Sequence, residues 1–298
     1  MVGFIDLHIH SCCSDGVLTP FEIVDQAMEN HVDMIYITDH DCIDAYTLSF
    51  LEYARKNDIS VVYGVEISTH YQGTGFHVLG YQFDIHNSKL NEKLYTLKNA
   101  RHIYLKEVSK KLEELGYIVY VDELSQFKIV TKAHIASHIV QNKENEKLLL
   151  HDFGYIPQRG EFIETLMNEG CPAYVKKESI TPMEASQLIK EAGGIVVLAH
   201  PVCYEHEDHI NVESITHLVK EMNADGIEAI YMYIDQKNNK INDIEKWKNF
   251  ALKNHLLYTM GSDFHMDDGI HPQIGLINEQ VYIQNNDIQW LKKKMIGV

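Results

Sequence analysis

No two of the five cysteines, Cys12, Cys13, Cys42, Cys171 and Cys203, are spaced as CxxC, and their number is odd. Both features speak against a cysteine-built zinc cluster and against a secreted disulfide framework. Cations are also scarce: 26 Lys and Arg stand against 43 Asp and Glu, a net charge of -17. A chain this acidic is poorly suited to the broad cationic grip that counterion release from a duplex requires, so duplex DNA is not an expected partner. No run of eighteen apolar residues occurs, which leaves no membrane span, and no basic segment followed by a long apolar one opens the chain. The expected location is therefore the cytoplasm. Internal repeats, Pro-rich linkers and low-complexity tracts are missing as well. That leaves 298 residues for one large α/β domain, or a domain with an insertion, with a core that needs no staples.

What is present is a rhythm. Short runs rich in β-branched residues recur as VGFIDLHI, DMIYITD, SVVYGVEI, FHVLGYQF, GGIVVLAH, GIEAIYM and LLYTMGSD. Helix-like segments lie between many of them, such as Pro20 to Glu29 behind Thr19 and Pro182 to Ala192 behind Thr181, each with a capping residue and a proline at the first helical position. Strand, helix and strand in repetition predict parallel strands joined by crossover helices.

From about Asn87 to Glu178 the rhythm breaks. LNEKLYTLKNARHIYLKEVSKKLEELGY carries apolar residues at three- and four-residue steps, and Gly116 is a suitable helix stop. The expected organisation is a barrel-like portion from 1–86 and 179–298, with a helical insertion over 87–178. Between Lys89 and Lys147 eleven Lys and Arg outnumber eight Asp and Glu. This surplus fits a lid that reads an anion, and equally a solvated helix face.

The chain also holds 18 histidines, and their placement matters more than their number. FIDLHIHSCCSDG, Phe4 to Gly16, is compatible with a zinc knuckle, a redox thiol pair or the opening strand of a metal-dependent hydrolase. His8 and His10 stand two apart on a strand and face the same way. Asp39 and His40 end the second run, Glu66 the third, His77 lies within the fourth, His200 ends the next, and Asp263 and His265 follow the last. In parallel α/β barrels the carboxyl ends of the strands form one rim where active sites collect. A lone His or Glu at a strand end is usually a satisfied polar residue, but the coincidence repeats at every strand. Imidazole and carboxylate without thiolate suit catalytic Zn, Mn or Fe, and so many ligands suit two or three divalent ions. Ions roughly 3.5–4 Å apart clamp both the attacking and the leaving oxygen of a phosphoryl group, and a bridging hydroxide serves as nucleophile without any Ser or Cys.

DLHIH, SDG at Ser14 to Gly16, TDHD at Thr38 to Asp41, GVEIS at Gly64 to Ser68, AHP at Ala199 to Pro201 and GSDFH at Gly261 to His265 together resemble the PHP (polymerase and histidinol phosphatase) family of metal-dependent phosphoesterases. The resemblance implies an α/β fold, a distorted seven-stranded β/α barrel with a helical insertion, around up to three metal ions. It implies one ion held by His8, His10, Glu66 and Asp263, a second by Asp15, His40 and His265, and a third, bridged by Glu66, held by His77 and His200. His200 is equally a candidate to protonate the leaving alkoxide. Asp6 and Asp39, beside ligands, are expected to orient imidazoles.

Within the family, the insertion and the phrases LIKEAGGIVVLAHP, GIEAIY and LYTMGSDFH resemble the branch that hydrolyses nucleoside 3',5'-bisphosphates and includes a bacterial 5'-to-3' exoribonuclease. That likeness implies substrate-binding roles for Arg101, Lys132 and His134. Lysine stands at 132 where the branch usually has arginine, and it lacks the planar bidentate grip on phosphate. The expected activity is hydrolysis of a phosphate ester on a small nucleotide, such as an AMP-containing bisphosphate or the 5' end of a short single-stranded RNA. Histidinol-phosphate or sugar-phosphate phosphatase is the enzymatic alternative, and a non-catalytic metal-binding PHP module is the second.

Overall fold

The computed structural model describes residues 4–125, 130–176, 179–235, 238–278 and 281–282. The seven apolar runs become seven strands that lie side by side in chain order: β1 (Phe4–Ile9), β2 (Val32–Ile37), β3 (Ser60–Tyr71), β4 (Thr74–Tyr81), β5 (Ile195–Leu198), β6 (Gly226–Ile230) and β7 (Leu257–Met260). Neighbours are parallel except around β4, which is antiparallel to both β3 and β5. The all-parallel expectation fails there because Gln72 and Gly73, with φ of 50° and 90°, reverse the chain in two residues. Positive φ at both central positions matches the twist of the flanking strands, so a hairpin forms where a crossover helix was expected.

Helices cover the sheet as the capping signals predict. Thr19 accepts from the Glu22 amide while Glu22 reaches back to Thr19, and Thr181 and Glu184 repeat the arrangement for Pro182–Glu191. Ile23 and Val24 of the helix Pro20–Glu29, with Phe50 of the helix Leu48–Lys56, pack on Ile35 and Ile37 of β2. Each large side chain so buried contributes about 1.5–3 kcal/mol. Met34 and Tyr36, the alternate residues of β2, face an inner cluster with Leu79 and Tyr81 of β4, Ile195 and Val197 of β5, and Met260 of β7.

β1 and β7 end the strand order, yet the chain joins them at one rim. The Asp263 N–H donates to the His8 carbonyl and the His10 N–H to the Phe264 carbonyl, both at 2.9 Å, and Ile9 bridges Phe264 in parallel. The architecture is thus an α/β fold on a mostly parallel seven-stranded sheet whose edges meet at this rim.

The chain divides into two compact units, Met1–Leu94 with Ser179–Val298, and Tyr95–Glu178. The helix Ser88–Glu114 begins in the first and runs on into the second. Gly116, at φ 97°, turns the chain just beyond its end. The second unit is helical, with Leu105, Val108, Leu112, Ile135, Ile139, Leu149 and Phe162 in its own core. No helix of the described residues is long and apolar enough to cross a membrane.

Candidate metal centre

Backbone irregularities aim the ionisable side chains. Against β2, Asp6 pairs with Ile35 but Ile9 with Ile37, so β1 holds one extra residue, a bulge that reverses which side chains face inward. Ile5 and Leu7 belong to the inner cluster; beyond the bulge His8 and His10 point into the site, both fully buried. His77 shares the inner face of β4 with Leu79 and Tyr81, and Leu79 is the cross-strand partner of Glu66. His200 and Asp263 follow β5 and β7 with φ of 22° and 53°, a region that non-glycine residues occupy at a cost repaid at functional sites. Gly16 fits for a different reason: a Cβ there would lie 2.2 Å from the His10 carbonyl oxygen.

Three sets of ligand-type atoms result. In the first, His8 Nε2 and His10 Nε2 lie 3.0 Å apart, and each is 3.1–3.3 Å from Glu66 Oε2 and Asp263 Oδ1. A regular tetrahedron with edges like these five has its centre about 1.8–2.0 Å from each vertex, near the roughly 2.0–2.2 Å of zinc–imidazole and zinc–carboxylate bonds. In the second, Asp15 faces His10 Nδ1 at 3.4 Å, His40 Nε2 at 3.5 Å and His265 Nε2 at 3.4 Å. In the third, Glu66 Oε1 lies 3.1 Å from His77 Nδ1 and 3.2 Å from His200 Nε2, which are themselves 3.3 Å apart. His40 Nδ1 approaches Glu66 Oε2 at 3.1 Å. Glu66 therefore divides its two oxygens between the first and third sets. All nine metal-ligand candidates are brought together, and His10 joins the second set as well as the first.

The electrostatics demand cations. Burial would raise the carboxyl of Glu66, but His77, His40 and His8 outweigh it and hold the group well below the usual carboxylate range. Asp15 and Asp263 are likewise lowered against burial, chiefly by His40 and by His8. Burial also opposes charge on His8 and His10, yet the carboxylates around them push both up, His10 to about 10. For His40 burial prevails and the imidazole falls to about 3. The buried atoms His10 Nδ1, Asp15 Oδ1 and His40 Nδ1 make no hydrogen bond. Buried carboxylates crowded among imidazoles, whose nitrogens point at one another, are what bound divalent ions satisfy. The donor set, nitrogen and oxygen with no thiolate, fits Zn, Mn or Fe; the five cysteines form no disulfide and belong to none of the three sets.

Asp6 and Asp39 do not orient imidazoles as expected. Asp6 accepts from the backbone N–H groups of His8, Ser262 and Gly275, and burial lifts its carboxyl to about 6. Asp39 accepts from the Ser11 amide at 2.8 Å, the Ser11 hydroxyl at 2.6 Å and the Ser14 hydroxyl. Both carboxylates brace loops that carry ligands. The carboxylate beside an imidazole is Glu228 of β6, whose oxygens lie 3.0 and 3.1 Å from His8 Nδ1. Tyr231 donates to Asp263 Oδ2 at 2.9 Å, and Tyr204 accepts from the His77 amide at 2.8 Å. Nothing in the sequence marked these residues beyond the presence of a glutamate in the otherwise apolar run GIEAIYM. A cavity of about 310 Å³ lined by Cys203, Tyr231, Tyr233, Met266 and His271 opens onto Asp263 and His265.

The substrate-binding candidates belong to the second unit. Arg101 is buried. Lys132, half-buried with its ammonium lowered by desolvation, donates to Asn168 Oδ1 at 3.1 Å. His134 Nδ1 accepts from the Thr131 amide in a capping box that starts the helix Lys132–Gln141.

Residues 6–191 match the PHP domain model. A 5'-3' exoribonuclease of Haemophilus influenzae is 31% identical over 89% of this chain and 90% of its own length. A 3',5'-nucleoside bisphosphate phosphatase of Chromobacterium violaceum is 27% identical over 88% and 87%, and the 5'-3' exoribonuclease Rnm of Escherichia coli 28% over 87% and 84%. Among solved structures, a Chromobacterium violaceum amidohydrolase shares the fold with a TM-score of 0.73 at 23% identity, covering 98% of this chain and 96% of its own. A Bifidobacterium adolescentis structure does so with a TM-score of 0.72 at 21% identity, covering 99% of both chains. With a family model spanning more than half its length and a relative above 30% identity along nearly all of it, the chain belongs to the PHP family of metal-dependent phosphoesterases.

Proposed function

We propose that this enzyme hydrolyses a phosphate ester on a small nucleotide in the cytoplasm, either a nucleoside 3',5'-bisphosphate or the 5' end of a short single-stranded RNA. The observation that supports the reading is that Glu66 turns Oε2 to one ligand set and Oε1 to another, as a carboxylate shared by two neighbouring cations would. His8, His10, Glu66 and Asp263 would hold one ion, Asp15, His40 and His265 a second, and Glu66, His77 and His200 a third. Such ions supply an acidified water as nucleophile and stabilise charge on the phosphoryl oxygens. The approach of His200 Nε2 to Glu66 Oε1 and His77 Nδ1 supports a ligand role more directly than proton donation.

In this reading the second unit is a substrate lid, and Arg101, Lys132 and His134 are its substrate-binding residues. The cavity beside Asp263 has the volume of a small-molecule site and would take the nucleoside. The nucleotide assignment draws on the relatives, one a bisphosphate phosphatase and two exoribonucleases, and histidinol-phosphate or sugar-phosphate hydrolysis is the alternative.

The test is elemental analysis of the purified protein together with a panel of nucleoside bisphosphates, cyclic nucleotides, 5'-phosphorylated short RNAs and histidinol phosphate, with Glu66→Gln as the control. Bound divalent metal and turnover of a bisphosphate or RNA end, both lost in Glu66→Gln, are the expected results. Preference for histidinol phosphate would overturn the substrate assignment, and a metal-replete protein inert to the panel would overturn catalysis.

A further inference from the structure

Glu228 is 1% exposed and belongs to none of the three ligand sets, yet its carboxylate touches two of them. Its Oε1 and Oε2 lie 3.0 and 3.1 Å from His8 Nδ1, and Oε2 also accepts from the His200 backbone N–H at 3.0 Å. A carboxylate can only accept in such contacts, so the proton of the His8 ring is drawn to Nδ1. When the ring gives up its second proton to a metal, the lone pair is therefore on Nε2, the nitrogen that faces His10, Glu66 and Asp263. The second contact falls on a residue whose φ is 22°, where a fixed hydrogen bond holds a backbone that would otherwise relax. The carboxylate sits close against Gly261, where an added Cβ would lie 2.8 Å from Oε1.

We propose that Glu228 is a positioning residue for the metal centre, fixing the His8 tautomer for the first set and the His200 backbone for the third, so that one carboxylate braces two neighbouring sets. The inference rests on the reading of these sets as metal sites. Residues that orient metal-ligating imidazoles are worth roughly 10–100-fold in metal affinity. Replacement by glutamine keeps the shape but removes the charge. If the amide nitrogen takes the place of Oε1, it sets a donor against His8 Nδ1 and favours the tautomer whose proton sits on Nε2, where the metal should bind.

The experiment compares wild type and Glu228→Gln by zinc competition against a chromophoric chelator, and by long-range ¹H–¹⁵N spectra of the histidine rings in the zinc-loaded wild type. Wild type that binds zinc, a roughly 10–100-fold weaker affinity in Glu228→Gln and a His8 ring protonated at Nδ1 are expected. Unchanged zinc affinity in a folded variant overturns the proposal. So does a wild-type His8 ring protonated at Nε2, a result that decides the matter even if the variant fails to fold. Wild type that binds no zinc, manganese or iron instead removes the metal reading itself, and the two failures are told apart by that control.

Discussion

Gly261→Ala tests how closely the two joined strand ends must approach. The added carbon would stand 2.2 Å from His8 Cβ, 2.8 Å from Glu228 Oε1 and 2.9 Å from the His8 nitrogen, whereas carbons in contact sit about 3.5–4.0 Å apart. Two of these three neighbours are the root of a side chain and a backbone atom, so no flexible tip can swing aside. β1 and the segment after β7 must part by on the order of 1 Å. Those same segments carry His8 and Asp263, whose ligand atoms are 3.2 Å apart, and a displacement of that size costs about 100-fold in rate. Overpacking also costs about 1–3 kcal/mol of stability, or about 2–12 °C in melting temperature at roughly 2–4 °C per kcal/mol. Melting of the metal-free protein by circular dichroism, chelator competition and phosphoester hydrolysis measure the three effects. A variant that melts within about 1 °C of wild type and binds metal equally well would refute the close-approach argument.

Two further outcomes follow from the same geometry. Without metal, His8 and His10 keep protons at neutral pH, His10 titrating at about 10 against an ordinary 6.5; a raised imidazole stabilises the metal-free fold fully below 6.5, and that contribution is lost as pH rises through about 10. An incoming dication must displace these protons, so metal affinity should rise with pH, about tenfold per unit for each proton released; calorimetric heats that do not vary with buffer ionisation enthalpy would contradict this. Tyr46 accepts from the Gly64 amide at 2.7 Å and donates to the Ile37 carbonyl at 2.5 Å. Tyr46→Phe should therefore cost about 1–3 kcal/mol in denaturant unfolding while metal content stays at wild type, and loss of metal in a folded variant would show that the hydroxyl serves the centre directly.

The parts of the fold that local chemistry controls were legible in the sequence. Thr19 with Pro20 and Thr181 with Pro182 announce helix starts because a hydroxyl acceptor and a preset φ act within one turn, and the seven strands are visible as β-branched runs. The turn at Gln72 and Gly73 was missed because nothing in QG outweighs the expectation of a crossover, so the reversal of β4 stayed hidden. At the centre, the nine ligand candidates were readable because metal chemistry restricts residue type. The roles of Asp6, Asp39 and Glu228 were not, since a carboxylate's partner depends on the bulge in β1 and on which loops pack against it. Asp39, next to His40 in the chain, binds serines; Glu228, far from His8 in the chain, meets its ring.

The hydrogen bonds that join His8 and His10 to Asp263 and Phe264 also have a meaning in time. A ribosome delivers His8 and His10 early and Asp263 only after nearly all of the first unit has been made. Until β7 reaches β1, the first set lacks a quarter of its ligands, and the emerging chain offers scattered imidazoles in place of a tetrahedral trap. Contacts between such distant segments form slowly because closing the intervening chain is entropically costly. Completion of the first set, and of the second with His265, thus waits on β7, whereas Glu66, His77 and His200 are already in the chain before it.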